Sequence, residues 1–198
     1  MEKEYLIFID PGKEVSQKIE EMSLKIGKLH PNTYSSRIQG EWISHIALYL
    51  FQVPRLDKAL IKEVEEYFKK VRRFKVKLGK FKVKGSYVFV EVKSEKVKQI
   101  NKKLVEIIKP FRRDFLGKYK ERWDGLSGKE KMLIEETGSR YGYDAHVTVA
   151  CVKEVESVLN LIKNESLEEK EIDVKRIYLL EFENGVNKLL KEFELKKN

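Results

Sequence analysis

Ala145-His146-Val147-Thr148-Val149-Ala150-Cys151 alternates residue types with the period of a β-strand, which sends His146 and Thr148 out of one face together. An imidazole and a hydroxyl then stand side by side. Well upstream, Ser44-His45-Ile46-Ala47-Leu48-Tyr49-Leu50 repeats the pattern, with His45 and Ala47 sharing a face and Tyr49 following on it. The same alternation puts Cys151 on the face opposite His146.

Outward from each histidine strand the same order of elements recurs. Tyr5-Leu6-Ile7-Phe8-Ile9 is β-prone and ends in Asp10-Pro11-Gly12, after which Val15, Ile19, Met22 and Ile26 keep helical spacing up to Gly27. Tyr87 to Val92 is a similar strand, followed by Val97, Ile100, Leu104, Val105, Ile107 and Ile108 on one helical stripe that ends near Pro110. Behind the first histidine strand, Asp57 is placed to cap a helix that carries Leu60, Ile61, Val64, Tyr67, Phe68 and Val71. Behind the second, Val155, Val158, Leu159 and Ile162 predict a helix over 154–163.

Strands over 74–78 and 81–84 alternate strictly with lysine, which suits either phosphate contact or edge protection. Further strands are predicted over 172–174 and 177–182, and a closing strand lies between Gly185 and Asn198.

Strand, helix, histidine strand, helix, strands is thus written twice, an internal repeat. Tyr5 aligns with Tyr87 at an offset of 82 and His45 with His146 at an offset of 101. The surplus of 19 fits an insertion over 111–143, where Ser127-Gly128-Lys129-Glu130 reads as a capping box and Gly138 as a helix stop. The expectation is an α+β fold: one bilobal domain over 1–198, its lobes covering approximately 1–85 and 86–198. Each lobe is an antiparallel sheet with helices on its outer side, and a basic cleft lies between them.

Composition narrows the chemistry. Cys151 is the only cysteine, so an internal disulfide and a cysteine-built zinc site are excluded, and it reads as a small buried hydrophobe. No apolar run approaches the roughly 18 residues of a membrane span, and Met1-Glu2-Lys3-Glu4 lacks the layout of a secretion signal. A cytoplasmic monomer without a membrane partner is expected. Lys and Arg number 41 against 32 Asp and Glu, a formal charge of +9, which suits an anionic partner such as RNA or a nucleotide. Walker and dinucleotide glycine loops do not occur.

Two related lobes packed about a pseudo-twofold axis would bring two histidines to one cleft. An imidazole's unperturbed pKa near 6.5 lets one ring be neutral while the other is protonated, the pairing that general base and general acid catalysis needs. A neighbouring hydroxyl donates to a phosphoryl oxygen, and displacement at phosphorus asks for little beyond positioning. His30, beside Pro31, reads as a loop residue.

The paired His-x-Thr/Ser-x motifs resemble the 2H phosphoesterase superfamily, which includes RNA 2′,3′-cyclic phosphodiesterases and 2′-5′ RNA ligases and has a duplicated, LigT-like fold. His146-Val147-Thr148-Val149 matches the motif in full, whereas His45-Ile46-Ala47-Leu48 has alanine where the family has threonine or serine. The resemblance implies cleavage of a 2′,3′-cyclic phosphate or 2′-5′ linkage without a metal or other cofactor, with one histidine activating water and the other protonating the departing oxygen. His45, His146 and Thr148 are the catalytic candidates. Tyr49 is read either as a donor replacing the missing hydroxyl or as a packing residue. Arg140, Tyr143, Arg37 and Trp42 are candidates for phosphate contact and base stacking, and each is read alternatively as a structural residue, Tyr143, Arg37 and Trp42 above all. Three rivals stand beside hydrolysis: a binding module that lost turnover at Ala47, ATP-independent joining of a cyclic end to a 5′-hydroxyl, and hydrolysis of a small nucleotide under a lid formed by the insertion.

Overall fold

The computed structural model describes residues 3–29, 34–35, 44–53, 55–111, 123–139, 142–168, 170–183 and 186–197. In chain order they form β1 (Lys3–Ile9), α1 (Lys13–Leu29), β2 (Tyr34–Ser35), β3 (Ile46–Val53), α2 (Lys58–Phe68), β4 (Phe74–Lys84), β5 (Tyr87–Lys93), α3 (Glu95–Ile108), α4 (Gly128–Thr137), β6 (His146–Cys151), α5 (Glu156–Ile162), β7 (Glu171–Val174), β8 (Arg176–Glu183) and β9 (Val186–Glu194). The fold is α+β, and its strands make one antiparallel sheet in the order β7-β4-β5-β6-β3-β1-β8-β9, with β2 added to β6. Among the described residues no helix is long and apolar enough to cross a membrane.

Local chemistry sets the helix ends. Asp57 accepts from the Ala59 amide and Ser94 from the Val97 amide, so α2 and α3 begin at satisfied caps. The box at α4 is present in both directions, Ser127 to the Glu130 amide and Glu130 back to the Ser127 amide, and Gly138 ends the helix at φ 77°. A Cβ on Gly138 would stand 2.5 Å from Cε2 of Tyr49, a ring only 3% exposed and held by the core. Gly138→Ala is therefore expected to cost about 2–5 kcal/mol from left-handed strain and overpacking. A urea denaturation midpoint equal to that of the wild type would contradict this.

One face of the sheet is covered by the helices. Val15, Ile19, Met22 and Ile26 of α1 and Val97, Ile100, Leu104 and Ile108 of α3 bury there against Ile46, Leu48, Val147 and Val149, all four of which are fully buried. The connections cross over: α1 packs on β6 and α3 on β3.

The strands are exchanged in the same way. β4 belongs to the first sequence repeat yet pairs with β5 and β7, and β8, late in the chain, pairs with β1. A cut near residue 85 thus separates repeats of sequence, not halves of the sheet. The strands expected over 74–78 and 81–84 are one strand with an irregularity between Leu78 and Phe81.

Two irregularities decide the faces. β1 pairs Ile7 with Tyr49 and Phe8 with Ala47, so Leu48 is an extra residue, a β-bulge. β5 pairs Val88 with Ala150 and Phe89 with Thr148, so Val149 is its counterpart. Both bulges fall three residues after the histidine. Each resets the alternation, which corrects two expectations: Tyr49 turns to the helix-covered side, and Cys151 turns to the side of His146, where its thiol lies 3.4 Å from the Ser86 hydroxyl. The bulges also set the repeat of the opening strands at Phe8 with Phe89, an offset of 81 rather than the 82 of Tyr5 with Tyr87.

Asn101 of α3, 2% exposed, donates from Nδ2 to the carbonyl of the bulged Leu48 at 2.7 Å. Asn101→Leu leaves that buried carbonyl without its donor and is expected to cost about 1–3 kcal/mol. Thermal denaturation checks it, and an unchanged Tm would show that the bulge does not need this bond.

Candidate active site

The two histidine strands meet at one residue pair, Ile46 with Val147, both fully buried on the helix side. Side chains alternate, so the residues to either side of this pair project from the open face. One step out in the antiparallel register, His45 lies across from Thr148 and Ala47 across from His146. The two imidazoles therefore sit diagonally about the pair, and all four side chains are half-buried. Directly opposed side chains in such a pair have Cβ atoms about 4.5–5.5 Å apart. The arrangement is twofold except at one atom set: a hydroxyl faces His45, and a methyl faces His146.

Each histidine rests on a phenylalanine of the strand beside it. Phe8 meets His45 edge-on with ring centroids 5.9 Å apart, and Phe89 meets His146 at 5.3 Å and 58°. These rings are equivalent in the repeat and hold each imidazole from the outer side. Beyond Phe8 the open face is apolar, with Leu6 and Leu180 buried and Tyr178 stacked on Phe8 at 5.4 Å. Beyond Phe89 it is charged. Glu91 stands opposite His146 and shares its carboxylate between Lys82 at 2.6 Å and Lys93 at 3.9 Å.

The tautomer of His146 follows from its neighbour. Nδ1 lies 2.6 Å from the Asp144 carbonyl oxygen, and since a carbonyl only accepts, Nδ1 carries a hydrogen. Nε2 is the ring nitrogen that the Asp144 carbonyl does not engage.

Tyr143 donates its hydroxyl to the Ala47 carbonyl at 2.8 Å and packs against the core. Burial, and then the Asp144 carboxylate beside it, push its phenol well above the usual range, so it stays a donor. It ties the strand of His45 to the segment that enters the strand of His146. Of the two roles read for Tyr143, base stacking and structure, this contact gives the structural one. Tyr49, 3% exposed and stacked on Phe51 at 5.7 Å, is likewise part of the core, so it does not supply the missing donor. His30, Arg37, Trp42 and Arg140 lie outside the described residues.

Nothing in the residue types of Phe8, Phe89 and Glu91, all ordinary in strands, marks them as part of the site. The offset of 81 that aligns Phe8 with Phe89 is the one sequence feature that marks them. The carbonyl of Asp144 carries no side-chain mark at all. Among the described residues no three of His, Cys, Asp and Glu stand together as a metal-binding group.

Two equivalent histidine strands, paired at the centre of a duplicated antiparallel sheet with both imidazoles on its open face, define a class of bilobal two-histidine proteins. The chain belongs to the 2′-5′ RNA ligase superfamily, whose family model matches residues 11–186. Solved structures agree in fold: TT0787 of Thermus thermophilus is similar over 98% of each chain with a TM-score of 0.62 at 12% identity. LigT of E. coli complexed with 3′-AMP is similar over 98% of each chain, with a TM-score of 0.51 at 12% identity. A protein described as a phosphoesterase covers 99% of each chain, with a TM-score of 0.52 at 11% identity. No curated protein sequence matches the chain.

Proposed function

We propose that the protein is a metal-independent phosphodiesterase that opens a 2′,3′-cyclic phosphate, or cleaves a 2′-5′ linkage, of RNA or a nucleotide. His45 and His146 act as the acid–base pair. The observation that carries the reading is their diagonal placement about Ile46 and Val147, on one face, with Thr148 across from His45 and next to His146 on that face. A phosphoryl group over that pair has an imidazole on each side, as in-line displacement requires. One ring takes a proton from the attacking water, the other returns one to the departing ribose oxygen, and the bond from phosphorus to that oxygen breaks as the new one forms. Thr148 donates to a non-bridging oxygen, where negative charge gathers.

Membership of the superfamily supports the same chemistry, and the formal charge of +9 suits an anionic substrate. The test is hydrolysis, in EDTA, of an RNA oligonucleotide ending in a 2′,3′-cyclic phosphate, with His146→Ala as the comparison. Cleavage by the wild type and its loss in the variant are expected. Equal cleavage by both would overturn the mechanism.

Ala47 favours a second reading, a module that binds the same end and releases it unchanged, because the donor facing His146 is missing. That reading expects the wild type to bind the oligonucleotide without cleaving it.

A further inference from the structure

The open face continues past the histidines along β5. Val88, Val90 and Val92 turn into the core, so Tyr87, Phe89 and Glu91 share the opposite face. Phe89 lies across from Thr148 and Glu91 across from His146, and Tyr87, the next residue outward, lies across from Cys151. Tyr87 is thus about 7 Å along the strand from the residue that faces Thr148. Unlike Phe89, which is 7% exposed, Tyr87 is 56% exposed although its strand lies inside the sheet. On β4, Lys82 pairs with Phe89 and Lys84 with Tyr87, and both lysines are exposed. Their carboxylate partners are Glu91 at 2.6 Å and Asp144 at 3.7 Å. Surface ion pairs of this kind contribute little, so a phosphate competes with them readily.

We propose that Tyr87, with Lys82 and Lys84, forms a second nucleotide subsite that holds the nucleotide 5′ to the one carrying the reacting phosphate in an RNA chain. The tyrosine ring offers a face on which a base stacks without regard to its identity, and the lysines offer charge to the linking phosphate. The inference rests on the phosphodiesterase reading and adds a substrate class to it: a polynucleotide end rather than a lone nucleotide.

The experiment compares kcat/KM of the full chain on cytidine 2′,3′-cyclic phosphate and on a short RNA with the same cyclic end. The wild type is expected to prefer the RNA. Tyr87→Ala and the double variant Lys82→Ala/Lys84→Ala each lower that preference about 5- to 100-fold while leaving turnover of the mononucleotide unchanged. Tyr87→Phe retains the preference. An intact preference in Tyr87→Ala, or an equal fall on both substrates, would overturn the proposal. If the wild type cleaves neither substrate, the phosphodiesterase reading fails by itself. The subsite is then decided by the ratio of Kd values for the RNA and cytidine monophosphate, each ending in a 3′-phosphate. Loss of that ratio in Tyr87→Ala supports the subsite, and its persistence overturns it.

Discussion

His146→Ala is expected to lower kcat/KM on a 2′,3′-cyclic phosphate by about 10²- to 10⁴-fold, and His45→Ala by a similar factor. Neither ring belongs to the helix-covered core, and both are half-buried on the open face, so the variants should unfold at the wild-type denaturant midpoint. Loss of activity then reports chemistry. In the proposed displacement the pair acts as a unit, so the double variant should be little worse than either single one. Full activity in either alanine variant would remove that residue from the mechanism.

Ala47→Thr is expected to raise kcat by about 100- to 1000-fold, the inverse of what loss of one oxyanion donor costs. The register puts residue 47 across from His146, as Thr148 is across from His45, so a new hydroxyl completes the twofold arrangement of donors. Ala47 packs beside Leu6, Phe8 and Leu180, and the threonine methyl has apolar neighbours on that side. Ala47→Val is the control. It adds the same bulk without the hydroxyl and should not raise kcat. A threonine variant no faster than the valine variant would show that the charge near His146 is already met by another group, and the binding-module reading would gain if both remained inactive.

The alternation of each histidine strand with its flanking helical stripes was enough to read the elements, their duplication and the shared face of His45 and His146. Helix α4 was legible to the residue because a capping box and a left-handed glycine are both local chemistry. What the sequence hid are the bulges at Leu48 and Val149. A bulge is decided by how two strands register, and no residue type announces it. Period-two reasoning therefore went wrong only beyond those points, at Tyr49 and Cys151. For Tyr143 a structural role was legible but its partner was not, because that partner is a backbone carbonyl on another strand. The exchange of β4 and β8 between the halves was also invisible, because a strand's own sequence does not say which neighbour it takes.

That exchange bears on how the molecule is made. β1 leaves the ribosome well before β8, yet β8 is one of its two neighbours in the sheet. Until synthesis reaches Arg176, the edge of β1 that β8 covers has no partner, and an emerging chain presents an apolar strand edge. Such late, sequence-distant pairing is slow and favours association between nascent chains. A chain stopped at Lys175 would retain both histidines and still be an aggregation-prone product.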